Sequence, residues 1–308
     1  MEMPQELRSI DMRLSPAYGL RDKEWRRQDP SNILKIEAAF YVWYARHSAH
    51  FKWNETRTRI NGMEIWTARS EDGHHWTEYG PVLPPSKPGQ WHERATHAPH
   101  VVPWKGRFYL FFSAFYGPYH TETRTGRKCI GMAAASHPHG PFKHVGEEPI
   151  LTPSGDLSAF DYFLIDDACV IRRNGKFWLY YKGRNSDASE CRLGVAEADT
   201  ITGPYQRLGS DAVCSANWHT GCVWPHRQGV AGIVDNTAVA YSEDGLSFTL
   251  GATVPKGIND AGVFCTDAFE ETANGRGISW GLALGRGPEH IFRFDAELTA
   301  TRALSIDE

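Results

Sequence analysis

Two aspartates in succession, Asp166 and Asp167, interrupt the otherwise apolar stretch YFLIDDACVIRR. Strand alternation sends one of the two inward, and an inward carboxylate among apolar residues is costly unless it has a partner or a task. A third acid, Asp29 in RQDPSNIL, stands just ahead of another strand start; an Asp before Pro also makes an ordinary turn. His219, in ANWHTGCVWPHRQG, precedes the strand start CVWP and enters its segment where the two acids enter theirs. A lone histidine is more often structural than catalytic. The string WHERATHAP adds His92, Glu93, Arg94 and His97. Glu93 and Arg94 can form a solvated pair, or in a concave mouth can hydrogen-bond sugar hydroxyls. Acids and a histidine gathered at one mouth are the parts of glycosidic bond hydrolysis. One group protonates the leaving oxygen, and another acts from the opposite face as base or nucleophile. An inverting arrangement leaves about 6.5–9.5 Å between the two for a water. A third group can tune or orient the acid.

Such groups need a scaffold that converges on them, and the chain carries a repeat that supplies one. A short aromatic strand is followed by a small-residue strand ending in a Gly turn. The copies are FYVWYA with MEIWTARSEDGHHWTEYG, RFYLFFSAF with CIGMAAASHPHGPFKHVG, and KFWLYYKGR with RLGVAEADTITGPYQRLG. A more worn copy, GVAGIVDN with TAVAYSEDGLSFTLGA, precedes the last, ISWGLALG with HIFRFDAEL. Alternating apolar residues predict half-buried strands, and the DG and GP dipeptides predict hairpin turns. Five strand-rich units without helices predict an all-β, five-bladed β-propeller over residues 29–308; a two-sheet sandwich is the competing architecture. Residues 1–28 stand outside the repeat. Being charged and rich in helix formers, they predict a short N-terminal helical arm that docks on a neighbouring subunit or frays.

Composition narrows the function classes. The 308 residues carry a net charge of −4 with no basic block, which argues against nucleic acid, whose binding needs clustered Lys and Arg. No run of eighteen apolar residues predicts a membrane span. The start, MEMPQELRSIDMRLSP, lacks a signal peptide's apolar core, so the expected location is cytoplasmic, or periplasmic if a leader precedes it. Eleven Trp, twelve Tyr and fifteen Phe suit pleated surfaces, and a few of them suit stacking on sugar rings. Six cysteines without CxxC spacing read as buried free thiols. Nothing in the sequence requires a cofactor: phosphate-cradling loops are absent, and the HxH of HPHG lies in a Gly-Pro turn. A propeller hub can nonetheless hold a divalent cation among carbonyls, carboxylates and waters.

The strings DPSNILK, FYVWY, EIWTARSEDGHHWTEYG, HERATHAP, DDACVIRRNGKFWLYYKG, LGVAEADTITGPY, CVWP and HIFRFD occur in this order along nearly the whole chain. In them the chain resembles glycoside hydrolase family 117, five-bladed α-1,3-(3,6-anhydro-L-galactosidases) acting on neoagaro-oligosaccharides. It also shares the broader plan of the family 43 propeller glycosidases. The resemblance implies an exo-acting, inverting hydrolase that removes a terminal 3,6-anhydro-L-galactose. It makes Asp29 the general base, Asp167 the acid that tunes or orients, and His219 the general acid. Glu93 and Arg94 are then substrate contacts, with Trp66, Lys182 and Thr220 beside them. The N-terminal arm resembles an extension through which two subunits form a homodimer. This chain departs from the family at Thr220, where a Glu is usual after the histidine, so that Asp260 or Glu289 would have to supply the carboxylate. It also carries Asp166-Asp167-Ala168 for His-Asp-Pro. The departures leave open another anhydro sugar, a galactoside or an arabinofuranoside as substrate, or a propeller that only binds carbohydrate.

Overall fold

The computed structural model describes residues 3–49, 62–83, 87–120, 125–186, 189–209, 211–214, 217–218, 222–234, 238–255, 258–284 and 290–298. In chain order, β1 (Ile10–Pro16) comes first and is followed by the first blade. That blade comprises β2 (Trp25–Gln28), β3 (Leu34–Ile36), β4 (Ala39–Ser48), β5 (Glu64–Ser70) and β6 (Trp76–Leu83). The second is β7 (Ala95–Trp104), β8 (Arg107–His120), β9 (Thr125–Ala135) and β10 (Lys143–His144). The third is β11 (Leu164–Arg173), β12 (Lys176–Arg184), β13 (Arg192–Ala198) and β14 (Gln206–Arg207). In the fourth, β15 (Val223–Arg227), β16 (Gly229–Val234), β17 (Ala238–Ser242) and β18 (Thr249–Thr253) pair in sequence. The fifth takes β19 (Asn259–Phe264), β21 (Trp280–Leu284) and β22 (Ile291–Leu298), while β20 (Gly275–Arg276) adds to β15. All pairings within these sheets are antiparallel.

Alternation along the strands turns these sheets into a ring. Val101 packs toward the first blade beside Trp43 and Ile65, whereas its neighbour Val102 packs toward the third beside Val170 and Leu179. Trp178 and Tyr180 face the fourth blade, and Phe177, Leu179 and Tyr181 face the second. Trp224 and Ile233 meet Val263 and Phe294 between the fourth and fifth blades, and Val42 meets Trp280 and Leu282 between the fifth and first. Each of the five gaps between blades thus holds its own apolar cluster. Each large side chain buried there contributes about 1.5–3 kcal/mol relative to exposure. The predicted all-β, five-bladed propeller is the architecture observed. The repeat seen in the sequence corresponds to the second and third strands of each blade.

The predicted N-terminal helical arm is not present. Its described residues contain one turn of 3₁₀ helix, Gln5–Leu7, followed by β1 and β2. Pro16 removes a helical donor, and the alternating Ile10, Met12 and Leu14 suit a strand. The decisive partner is remote: β1 pairs with β22 from Ile10 opposite Leu298 to Pro16 opposite Phe292. The chain's beginning therefore completes the last blade and then starts the first, which closes the ring. Leu7, wholly buried, joins the core between the fourth and fifth blades. Beside it the buried Glu6 accepts hydrogen bonds from Arg227 Nε and Nη2, both 2.6 Å away, and lies 2.9 Å from His226 Nε2.

Candidate active site

The innermost strands all begin at the same end of the axis, and four of the five are interrupted there in the same way. His97 and His100 of β7 pair with Ser113 and Phe111, so Ala98 and Pro99 face the single residue Phe112. Asp167 and Ala168 of β11 likewise oppose Tyr181 alone, and Asp260 and Ala261 of β19 oppose Ala283 alone. In the first blade Gln28 pairs with Ala45, and the Ser31 amide donates to the Trp43 carbonyl (2.7 Å), leaving Asp29 and Pro30 against Tyr44. Each extra residue is a β-bulge, which bends the strand and re-aims a side chain. The first bulge residue has positive φ in every case: Asp29 (52°), Ala98 (44°), Asp167 (52°) and Asp260 (42°). Aspartate tolerates this left-handed region better than most residues, and three of the four positions carry it. The matching stretch of the fourth blade, with His219 and Thr220, lies outside the described residues.

Below the bulges a cavity opens along the axis, lined by inner-strand residues of all five blades. Asp29, Asp167 and Asp260 line its mouth and His100 lines its wall. His100 Nε2 lies 3.1 Å from the Val170 carbonyl, and burial pushes its pKa down to about 4, so the ring is neutral. The rest of the DPSN string is structural. Asn32 donates to the Val101 carbonyl (2.8 Å) and accepts from the Val101 amide (2.9 Å), tying the first blade to the second.

The three acids sit in unlike surroundings. Asp29 keeps some accessible surface because the cavity opens above it, yet protein packs closely around its carboxyl. Burial pushes its pKa up to about 7, helped by the charges of Asp260 and Asp167 and opposed by His97. Gln28 Nε2 donates a hydrogen bond to its Oδ2 (3.2 Å). Asp167 is ion-paired to Lys182, with Nζ 2.6 Å from Oδ2, and its amide donates to Ser113 Oγ (3.0 Å). Its neighbour Asp166 is 1 % exposed and gathers Lys128, Lys182 (3.3 Å) and His97 Nε2 (3.2 Å). Burial opposes its ionisation, but these cationic partners outweigh burial and hold it well below the usual carboxylate range. Lys182 in turn is buried, which disfavours its charge, yet Asp166 and Asp167 hold it firmly protonated. The bulge explains why both aspartates avoid the apolar faces of the strand: Asp166 turns into the ion cluster and Asp167 toward the cavity.

Of the residues singled out in the sequence, Asp29 and Asp167 meet at the hub, and Lys182 joins them from β12 by holding Asp167. Glu93 and Arg94 precede β7 and do not line the cavity; they face each other at 3.9 Å, and Glu93 also accepts from the Gly89 amide (2.5 Å). Trp66 lies on β5, two strands out, with the Arg46 guanidinium 3.7 Å above its ring and Glu64 accepting from its indole (3.2 Å). Lys128 was invisible as a partner because β9 reaches Asp166 only through the third dimension. Asp260 had a signal: NDAG repeats the pattern of DDAC and QDPS. Among the described residues no group of three or more His, Cys, Asp or Glu is placed to hold a metal ion. The carboxylates of β11 are engaged by lysines instead, so these residues do not fit a hub cation.

Comparison with known proteins places the site in context. A model of glycosyl hydrolases family 43 matches residues 24–168. A family 117 glycoside hydrolase produced by the marine bacterium Zobellia galactanivorans superposes with a TM-score of 0.83. It is 28% identical over 95% of this chain and 92% of its own. An endo-arabinase from Bacteroides thetaiotaomicron (TM-score 0.57, 17% identity, 91% and 96% covered) shares the fold. So does a family 43 enzyme from Xanthomonas citri complexed with xylose (0.59, 15%, 92% and 89%). A search of curated proteins gave no match. A propeller whose hub draws carboxylates from three blades to one cavity, and which follows a family 117 enzyme over almost its whole length, is a glycoside hydrolase of the type that families 117 and 43 share.

Proposed function

We propose that the protein is an exo-acting, inverting hydrolase that removes a terminal 3,6-anhydro-L-galactose unit from neoagaro-oligosaccharides. The observation that carries this reading is the convergence of Asp29 and Asp167 on a single axial cavity. In the reaction Asp29 takes a proton from a water as that water's oxygen bonds to the anomeric carbon. The bond from this carbon to the glycosidic oxygen breaks, and the oxygen takes a proton from the acid. In this reading the acid is His219, which lies outside the described residues and precedes the cavity-lining Cys222 in the sequence. Asp167, fixed by Lys182, faces the positive charge that develops on the sugar ring.

The choice of sugar rests on the resemblance to family 117, and Thr220 in place of the usual Glu favours a second reading in which another anhydro sugar, a galactoside or an arabinofuranoside fills the same cavity. Product chromatography after incubation with neoagarobiose and a panel of related disaccharides separates the two. Release of anhydrogalactose is expected, with Asp29→Asn slowing turnover by about 10²–10⁴-fold and His219→Ala also impairing it. Cleavage of an arabinofuranoside or galactoside alone would replace the first reading with the second.

A further inference from the structure

Asp260 has no part in the scheme above, yet its position is tied to that of Asp29. Ile33 and Phe264 form a parallel bridge between the first and fifth blades, and the Ile33 amide donates to the Val263 carbonyl (3.0 Å). Two residues earlier on both strands, Ser31 lies against Gly262 so closely that a Cβ there would stand 1.8 Å from the Ser31 carbonyl oxygen. Two residues earlier again come Asp29 and Asp260. Each strand has its bulge at this point, so the register between them is kept, and both aspartates adopt the same left-handed conformation. Both side chains line the same cavity. The two residues therefore neighbour each other across the first and fifth blades, close enough for the charge of Asp260 to be felt at Asp29.

We propose that Asp260 is a positioning residue for Asp29: the doubly ionised pair takes up one proton that the two carboxyls then share, and Asp260 thereby makes Asp29 a base matched to neutral pH. The inference rests on the reading of Asp29 as the group that deprotonates water. Two carboxylates in one site cannot both ionise readily, so the second proton leaves at a raised pH. The upward push on Asp29 from burial and from Asp260 agrees with this. Among the described residues, the charged groups of β7 and β11 near the pair are engaged with one another. Asp166 and Asp167 of β11 are ion-paired with Lys128 and Lys182, and His97 of β7 lies on Asp166. During turnover the proton taken from water passes onto the Asp29–Asp260 pair and returns to solvent when the sugar leaves.

The test needs no substrate. In protein carrying ¹³C-labelled aspartate, the Asp29 carboxyl signal, assigned by its loss in Asp29→Asn, is followed against pH. The wild-type signal is expected to titrate in two steps, with the upper one near neutrality. In Asp260→Asn a single step is expected, lower by about one unit or more, and Asp260→Glu should restore the two-step curve. If Asp260→Asn does not fold, Asp260→Ser serves in its place, and the Asp29 signal should again titrate in a single, lower step. An Asp29 curve unmoved by removal of the Asp260 carboxyl overturns the proposal. On any glycoside the enzyme cleaves, Asp260→Asn should also move the acid limb of kcat/KM down by the same amount. Coupled titration without cleavage of any glycoside would leave the pair standing and remove the catalytic reading instead.

Discussion

At the residue scale, the site separates acids that look alike in sequence by what surrounds them. Asp166 has lysines and a histidine and stays ionised; Asp29 has burial and other carboxylates and holds its proton up to about pH 7. This difference has a consequence for stability. A carboxyl whose pKa is higher in the folded chain than in the unfolded one contributes stability that is fully present below its unfolded pKa. That contribution is lost as pH rises through the folded value. For Asp29 the window runs from about 3.8 to about 7. Asp29→Asn removes the ionisation, so its melting temperature should gain on that of the wild type between pH 4 and pH 8. Thermal melts across that range check this, and parallel curves would mean that Asp29 ionises freely. Chemistry-bearing residues were legible in the sequence where they break an apolar pattern, as Asp166 and Asp167 do. Their roles were not, because Lys128 and His97 approach Asp166 from other strands and distant parts of the chain.

At the scale of elements, the bulge is the device that builds the site. A regular inner strand would send successive side chains into the gaps on either side of its blade, where the apolar clusters lie. One extra residue at the mouth turns an aspartate toward the axis instead, at the cost of left-handed backbone. The same interruption kept the inner strands out of the repeat, although the one carrying Asp166 and Asp167 was legible as a strand. The second strands, mostly aromatic, and the small-residue third strands were the ones recognised as repeating. The N-terminal segment failed for a related reason: its composition favours a helix, but its pairing with β22 is made across the whole length of the chain. The closeness of the first and fifth blades depends on Gly262 lacking a Cβ. Gly262→Ala should therefore cost about 1–3 kcal/mol as an overpacking change and lower turnover by displacing Asp29 from Asp260. Denaturant unfolding and rate measurements on one preparation check both effects; a variant of wild-type stability and rate would mean that this contact does not set the spacing.

At the scale of the whole molecule, five apolar gaps hold five sheets around one axis. That arrangement gives a cavity open at one mouth, to which every blade can contribute a residue without any blade supplying the whole site. The all-β class and the five blades were legible because strands and turns repeat at regular spacing. The cavity's contents depend on which blades carry an acid, and the substrate on positions such as Thr220 that the repeat does not constrain.

The central claim is that water activated at Asp29 attacks the anomeric carbon from the face opposite the leaving group. Time-resolved ¹H NMR of the first sugar released from the cleaved glycoside reads this out directly, before the anomers equilibrate. The account predicts an initial product of inverted configuration, with the signal lost in Asp29→Asn. An initial product of retained configuration, or undiminished release by Asp29→Asn, would contradict it.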